Sequence, residues 1–325
     1  MSLVIEAKGL TRVYRGARRR AAIRAVDRVD LEVAQGETLG LLGPNGAGKT
    51  TTVRMLACIL RPTDGTARIA GHDIYERRRE IRAACGFSME SPGLYERLTA
   101  REYLTFFARL YDVAEGEIPV RLEEQLRAAL LWDRRDDLLA TFSKGMRQKM
   151  NIARALVHHP RLVFLDEPTS GLDVEAATTV REHIRDMSRE AETTFVICTH
   201  NLSEAERLSD RIALMKAGRI VASGAPEELK RRVPHTDAFR INLRQVLPHQ
   251  REAVASVPGV AAVEVEDNVL VVHIPAAREQ VTREILRRLA ESGADVISFG
   301  RDDPSLEDAY LHLLREDAEQ EEGDG

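Results

Sequence analysis

Gly43-Pro-Asn-Gly46-Ala-Gly48-Lys49-Thr50 decides the reading of this 325-residue chain. The run fits the spacing GxxxxGK[ST]. It follows a short apolar stretch, Thr38 to Leu42, and opens a helical stretch, Lys49 to Leu60, that stops before Pro62. Closely spaced glycines let successive backbone N–H groups converge on phosphate oxygens, and the positive end of the following helix reinforces them. Lys49 adds a point charge for the β- and γ-phosphates, and Thr50 a hydroxyl for magnesium. Gly43, Pro44, Asn45, Gly46, Ala47, Gly48, Lys49, Thr50 and the adjoining Thr51 are therefore the expected residues around a bound nucleotide.

A second run, Arg161-Leu-Val-Phe-Leu-Asp166-Glu167, is an apolar strand that ends in two carboxylates. With Thr194 to Cys198 and the helix between them it forms a βαβ pattern, the mark of a parallel sheet. The strand end places Asp166 and Glu167 at the carboxyl edge of that sheet, beside the phosphate loop. Asp166 is the expected partner of magnesium, and Glu167 is placed to polarise an attacking water.

Composition bounds the remaining choices. At about 150 residues per domain the length suggests two domains. A net charge of −5 is close to balance, which argues against a protein that coats nucleic acid. Cys58, Cys85 and Cys198 are odd in number and contain no CxxC, so neither a disulfide framework nor a zinc cluster is expected, and a reducing, cytoplasmic setting fits. The N-terminus lacks the pattern of a signal peptide, and apolar runs such as Val269 to Val272 fall far below the roughly 18 residues of a membrane span. Only six lysines accompany the arginines, and two of them, Lys49 and Lys144, fall within motifs.

Between the two nucleotide motifs lies Phe142-Ser143-Lys144-Gly145-Met146-Arg147-Gln148. Here the chain resembles the ATP-binding-cassette (ABC) ATPases, whose signature LSGGQ appears as FSKGM. Ser143 and Gly145 keep a hydroxyl and an exposed backbone N–H at a helix start, both able to hold a γ-phosphate, while Lys144 and Met146 depart from the common pattern. The resemblance implies further roles. Tyr14 would stack on adenine, Ser170-Gly171-Leu172-Asp173 would cross between paired cassettes, and His200 would contact the γ-phosphate and orient Glu167 and water. Glu90 stands where most of the family has glutamine, and is expected to bind magnesium and to couple it to the segment Ser91 to Leu98. The catalytic set is thus Glu167, His200 and Lys49, and the metal set Thr50, Asp166 and Glu90, with ATP and Mg2+ as cofactors.

The resemblance implies an α/β fold, a P-loop cassette with a mixed sheet and a helical subdomain, over residues 1–230. Thr99-Ala-Arg-Glu102 is a capping box that opens a helix in this subdomain, with Tyr103, Phe106, Phe107 and Leu110 expected in its core. Residues 235–315 follow a βαββαβ order, which predicts a small ferredoxin-like α+β domain. Together with Pro304-Ser-Leu-Glu-Asp308 they resemble the C-terminal extension of daunorubicin-resistance type exporter ATPases. Residues 316–325 carry six carboxylates and no base, which predicts a disordered tail, and without them the net charge becomes +1.

The function implied is the ATPase subunit of an exporter, peripheral on the cytoplasmic face of the membrane. Its expected partners are a second copy or a paralogous cassette and separate transmembrane permease subunits, with no nucleic acid. A soluble ATPase switched by a ligand of the C-terminal domain is the alternative. Repair and translation cassettes fit less well, because Lys49 and Ser143 are only 94 residues apart and the chain has one cassette.

Overall fold

The computed structural model describes residues 2–15, 22–89, 93–190, 193–233, 238–274, 279–301 and 304–323. The chain divides into two units: Met1–Leu229 with Leu313–Gly325, and Lys230–His312.

In the first unit the strand Thr38–Leu42 is buried along its whole length. That burial explains its unbroken apolar run, since a central parallel strand is covered on both faces. It pairs in parallel with Thr194–Thr199 on one side and Arg211–Lys216 on the other. The full sheet runs Arg219–Gly224, Arg211–Lys216, Thr38–Leu42, Thr194–Thr199, Leu162–Asp166, Cys85–Ser88, and only the first of these pairs antiparallel to its neighbour. A second, antiparallel sheet is ordered Ile23–Ala34, Leu3–Tyr14, Asp64–Ile69, His72–Asp73. Its first two strands are 12 residues each, longer than the short alternating runs at 3–7 and 29–33 suggest. The register shifts along their ladder break the simple alternation by which sequence pattern reveals a strand.

The helix Lys49–Leu56 shares a core with both sheets, through Val53, Met55, Leu56, Leu39, Leu41, Ile5 and Leu31. It ends earlier than the expected Leu60. The other face of the mainly parallel sheet is covered by helices Lys144–Leu156, Val174–Glu190 and Leu202–Leu208, with Phe195, Ile197 and Leu165 packed on Leu156, Ile184 and Leu208.

The helical subdomain has its own core. Helix Ala100–Leu110 opens with the expected capping box: Thr99 Oγ1 accepts from the Glu102 N–H, and the Thr99 N–H donates to the Glu102 carboxylate. Its aromatic stripe, however, is split. Tyr103 is fully buried and Phe107 packs on the core, whereas Phe106 is 45% and Leu110 62% exposed. The four residues spread over about 100° of the helix, wider than the neighbouring helices cover.

The second unit is a four-stranded antiparallel sheet ordered Ala262–Glu266, Val269–His273, Ala238–Leu243, Val296–Arg301. Helices Pro248–Ala255 and Glu279–Glu291 contribute Val254, Ile285 and Leu289 to its core. This is the split βαβ arrangement of a ferredoxin-like domain. Residues 324–325 lie outside the described ones, and the tail expected to be disordered is helical as far as Gly323, within a last helix spanning Leu306–Gly323. Ser305 caps its start through Asp308, and Lys216 Nζ lies 2.7 Å from Asp317 Oδ2, a cation that local composition does not reveal. Among the described residues no helix is long and apolar enough to cross a membrane.

Two histidines of the first unit are held neutral. Burial pushes His158 down to about 4 and lowers His183. The unfolded chain therefore binds more protons below about pH 6.5, and stability falls as pH drops toward 4. Melting the protein at about pH 7 and about pH 5 should give a lower midpoint at the acid pH, with a smaller gap in His158→Gln. An unchanged gap would show that burial of this ring does not feed the acid limb.

Candidate functional site

The phosphate loop is shaped by backbone that only glycine adopts readily. Gly46 has φ 84° and Gly48 φ 105°. A Cβ on Gly48 would sit 2.5 Å from the Ala25 carbonyl oxygen, and one on Gly43 2.3 Å from that of Met215. Lys49, 7% exposed, turns its ammonium back into the loop, donating to the carbonyls of Gly43 at 2.6 Å and Pro44 at 3.2 Å. These contacts fix a buried charge where the loop's N–H groups converge.

Strand pairing brings the other groups to the loop. Leu42 pairs with Thr199 and Asp166 with Cys198, so the three strands end side by side. Thr50 Oγ1 donates to the Asp166 carboxylate at 3.0 and 3.1 Å. Glu167, with φ 50°, ties its N–H to the Cys198 carbonyl at 2.8 Å. Its Oε1 receives the His200 N–H at 3.0 Å and faces His200 Nδ1 at 2.7 Å, and Thr199 Oγ1 donates to Oε2 at 3.4 Å. The Glu167 side chain is nearly buried, while His200 is half exposed. A carboxylate so oriented can accept a proton from a water, and His200 is fixed beside it.

A cleft of about 530 Å³ opens over these groups. Tyr14, Asn45, Gly46, Ala47, Gly48, Lys49, Thr50, Thr51, Asp166, Glu167 and His200 line it, as the sequence leads one to expect. Tyr14 is partly exposed, with the Arg12 guanidinium 4.8 Å from its ring centroid. Gly43 and Pro44 stay behind the cleft and hold Lys49. Glu90 lies outside the described residues, so the structure does not place it. Thr50 and Asp166 are adjacent hard oxygen donors of the kind magnesium prefers.

Ser143 and Gly145 do not line this cleft. Ser143 caps helix Lys144–Leu156, its Oγ accepting from the Met146 N–H at 3.3 Å. The loop Ser170–Asp173 is shaped around the signature: Gly171 has φ 65°, and a Cβ there would meet Lys144 Nζ at 1.9 Å. Asp173 then accepts from the Ala176 N–H at 2.8 Å, capping the next helix.

Sequence reasoning missed Arg24 and Ala217, which also line the cleft. Arg24 lies near the start of strand Ile23–Ala34 in the second sheet and Ala217 in the turn between Arg211–Lys216 and Arg219–Gly224, and no motif marks them. It also missed Glu204, a buried carboxyl pushed up by desolvation, which accepts from Thr169 and from Thr199 at 2.7 Å. This group fastens the loop after Glu167 to the end of the strand before His200.

With its phosphate loop set against strand-end carboxylates, the first unit is a P-loop nucleotide-binding domain. A family model described as ABC transporter matches residues 26–170. Another, described as ATP-binding protein DrrA1-3-like, C-terminal domain, matches residues 224–314. The chain is 36% identical to the daunorubicin/doxorubicin resistance ATP-binding protein DrrA of Streptomyces peucetius, over 95% of this chain and 92% of that protein. To the bacitracin transport ATP-binding protein BcrA of Bacillus licheniformis it is 33% identical, over 97% and 98%. A solved dimeric ATP-binding cassette in a post-hydrolysis state with ADP and Pi superposes with TM-score 0.62 at 26% identity, covering 68% of this chain and 98% of that one. The chain belongs to the ABC transporter ATP-binding proteins and is an ATPase of that family.

Lys49→Ala should weaken binding of a fluorescent ATP analogue by at least about tenfold, and Gly48→Ala, which forces a Cβ into the left-handed region against a carbonyl, should do the same. Titration of each purified variant measures this. Affinity equal to the unaltered chain would remove the loop from the binding site.

Proposed function

We propose that this chain is the ATP-hydrolysing subunit of an ABC exporter and acts as a head-to-tail pair. The observation that carries the reading is the one-sided cleft: phosphate loop, carboxylates and His200 lie together, while Ser143 and Gly145 of the same chain lie elsewhere. A second chain, or a paralogous cassette, supplies them across the nucleotide. The relatives' resistance and transport names, and the dimeric neighbour, support this reading.

In the closed pair, Tyr14 offers its ring to the adenine. Lys49 and the loop N–H groups hold the β- and γ-phosphates. Thr50 and Asp166 would hold Mg2+, with Glu90 as a further oxygen donor; when bound, the ion neutralises charge at the β- and γ-phosphate oxygens. Glu167, oriented by the His200 N–H and Nδ1, accepts a proton from the attacking water. The water oxygen bonds to the γ-phosphorus as the bond to the β–γ bridging oxygen breaks, giving ADP and phosphate. The partner's signature serine and glycine complete the donors around the γ-phosphate, so hydrolysis removes the group that bridges the pair.

The exposed face of Tyr95, Phe106 and Leu110 on the helical subdomain supports a docking place for separate transmembrane subunits. Such docking places the chain on the cytoplasmic face of the membrane. The second unit is proposed as an accessory domain for dimerisation.

Glu167→Gln should bind ATP, sediment as a dimer only with ATP, and turn over at least about a hundredfold more slowly. Adding Ser143→Arg should abolish the dimer and leave ATP affinity within about twofold. A Glu167→Gln chain that stays monomeric at saturating ATP would count against the paired mechanism. Glu90→Ala should lower magnesium-dependent turnover at fixed ATP, and equal magnesium titrations for both chains would remove Glu90 from the metal set.

A further inference from the structure

Among the described residues the strand Cys85–Ser88 is the last in its sheet and pairs with Leu162–Asp166 alone, which leaves its outer carbonyls without a strand partner there. Three side chains from one face of the signature helix and the turn after it take their place. Asn151 Nδ2 donates to the Met89 carbonyl at 2.8 Å and to Ser88 Oγ at 2.8 Å. Arg154 Nη2 donates to the Phe87 carbonyl at 2.7 Å, and His158 Nε2 lies 3.2 Å from the Cys85 carbonyl. Alternate residues of a strand turn their carbonyls to one side, and positions three or four apart lie on one helix face, so the two repeats mesh. The approach is close. A Cβ on Gly86 would come within 2.1 Å of the Ala155 carbonyl oxygen.

Two of these side chains also hold a second helix. The Arg154 guanidinium lies 5.2 Å from the Phe107 ring centroid, and the His158 ring stacks on Tyr111 at 3.8 Å with the planes 3° apart. Phe107 and Tyr111 are four residues apart, on the inner side and end of helix Ala100–Leu110, whose outer side carries exposed Phe106 and Leu110. Each of the two seam residues therefore grips the edge strand with its polar atoms and an aromatic ring of the neighbouring helix with its face. The neutral imidazole at position 158 suits it to donate from Nε2.

We propose that Asn151, Arg154 and His158 form a transmission seam. They are positioning residues that join helix Ala100–Leu110, the edge strand and the helix headed by Ser143 into one moving body. Load on the exposed aromatic face then arrives at the signature, and closure of the signature on a nucleotide is felt at that face. The inference rests on the paired-ATPase reading above. It adds three residues that touch no nucleotide.

The test uses the full chain and compares Asn151→Ala, Arg154→Gln and Arg154→Lys with the unaltered protein. Turnover gives kcat and KM for ATP, and hydrogen exchange followed by mass spectrometry reads residues 43–56, 85–89, 100–111 and 144–158 with and without ATP. Asn151→Ala is the mild change, since alanine favours a helix, and it carries the test if Arg154→Gln does not fold. The seam requires kcat to fall by at least about fivefold in Asn151→Ala and Arg154→Gln with KM within about twofold, and partial recovery in Arg154→Lys, which keeps the charge and one donor. In the variants ATP should still protect 43–56 but no longer change exchange at 100–111. A kcat equal to that of the unaltered chain, or the same ATP-induced change at 100–111, overturns the seam. An unaltered chain that hydrolyses no ATP overturns the paired-ATPase reading itself, and the seam's part in turnover with it.

Discussion

The parallel ladder through Thr38–Leu42, Thr194–Thr199 and Leu162–Asp166 is the constraint on which the rest of this protein depends. Its register sets Leu42 level with Thr199 and Asp166 level with Cys198. The chain leaving each strand therefore emerges at one edge, where the phosphate loop, Glu167 and His200 meet. Apolar side chains bury both faces of these strands, so a slip of one residue would disturb every contact at once. The Glu167 N–H extends the ladder one step beyond the strand by bonding the Cys198 carbonyl, which holds the carboxylate at the edge.

Charges gathered at such an edge are expensive to bury, and each here has a local answer. Lys49 rests on loop carbonyls, Asp166 receives the Thr50 hydroxyl, and Glu167 receives N–H and hydroxyl donors from residues 199 and 200. These contacts come from backbone and short side chains, which lose little freedom on ordering. Glu204 extends the same logic behind the site by accepting two hydroxyls. The donors are thus fixed by the chain's own contacts, which is the form of preorganisation that stabilises developing charge most cheaply.

Much of this was legible in the sequence because the chemistry is local. Gly43 to Thr50 need only a strand before and a helix after, and Asp166 and Glu167 need only a strand end. The ferredoxin-like order of the second unit was readable from turns and alternation. What escaped depends on distant neighbours. In the acidic tail Asp317 pairs with Lys216, far away in sequence. The split of the aromatic stripe turned on which side of Ala100–Leu110 other helices cover. Asn151, Arg154 and His158 look like ordinary polar residues of a helix and the turn after it until the edge strand is laid beside them, and Arg24 reaches the cleft from a strand of the second sheet.

A cleft that covers one side of its ligand makes closure a meeting between two molecules. For the pair proposed here, the rate of assembling a working site scales with the product of two concentrations when the chains are free. Membrane subunits that each hold one chain turn that meeting into a tethered one, at an effective concentration set by their geometry. On this view the proposed membrane partner is also a concentrator: it decides how often two half-sites find each other, while unanchored chains must rely on chance encounters to assemble a working site.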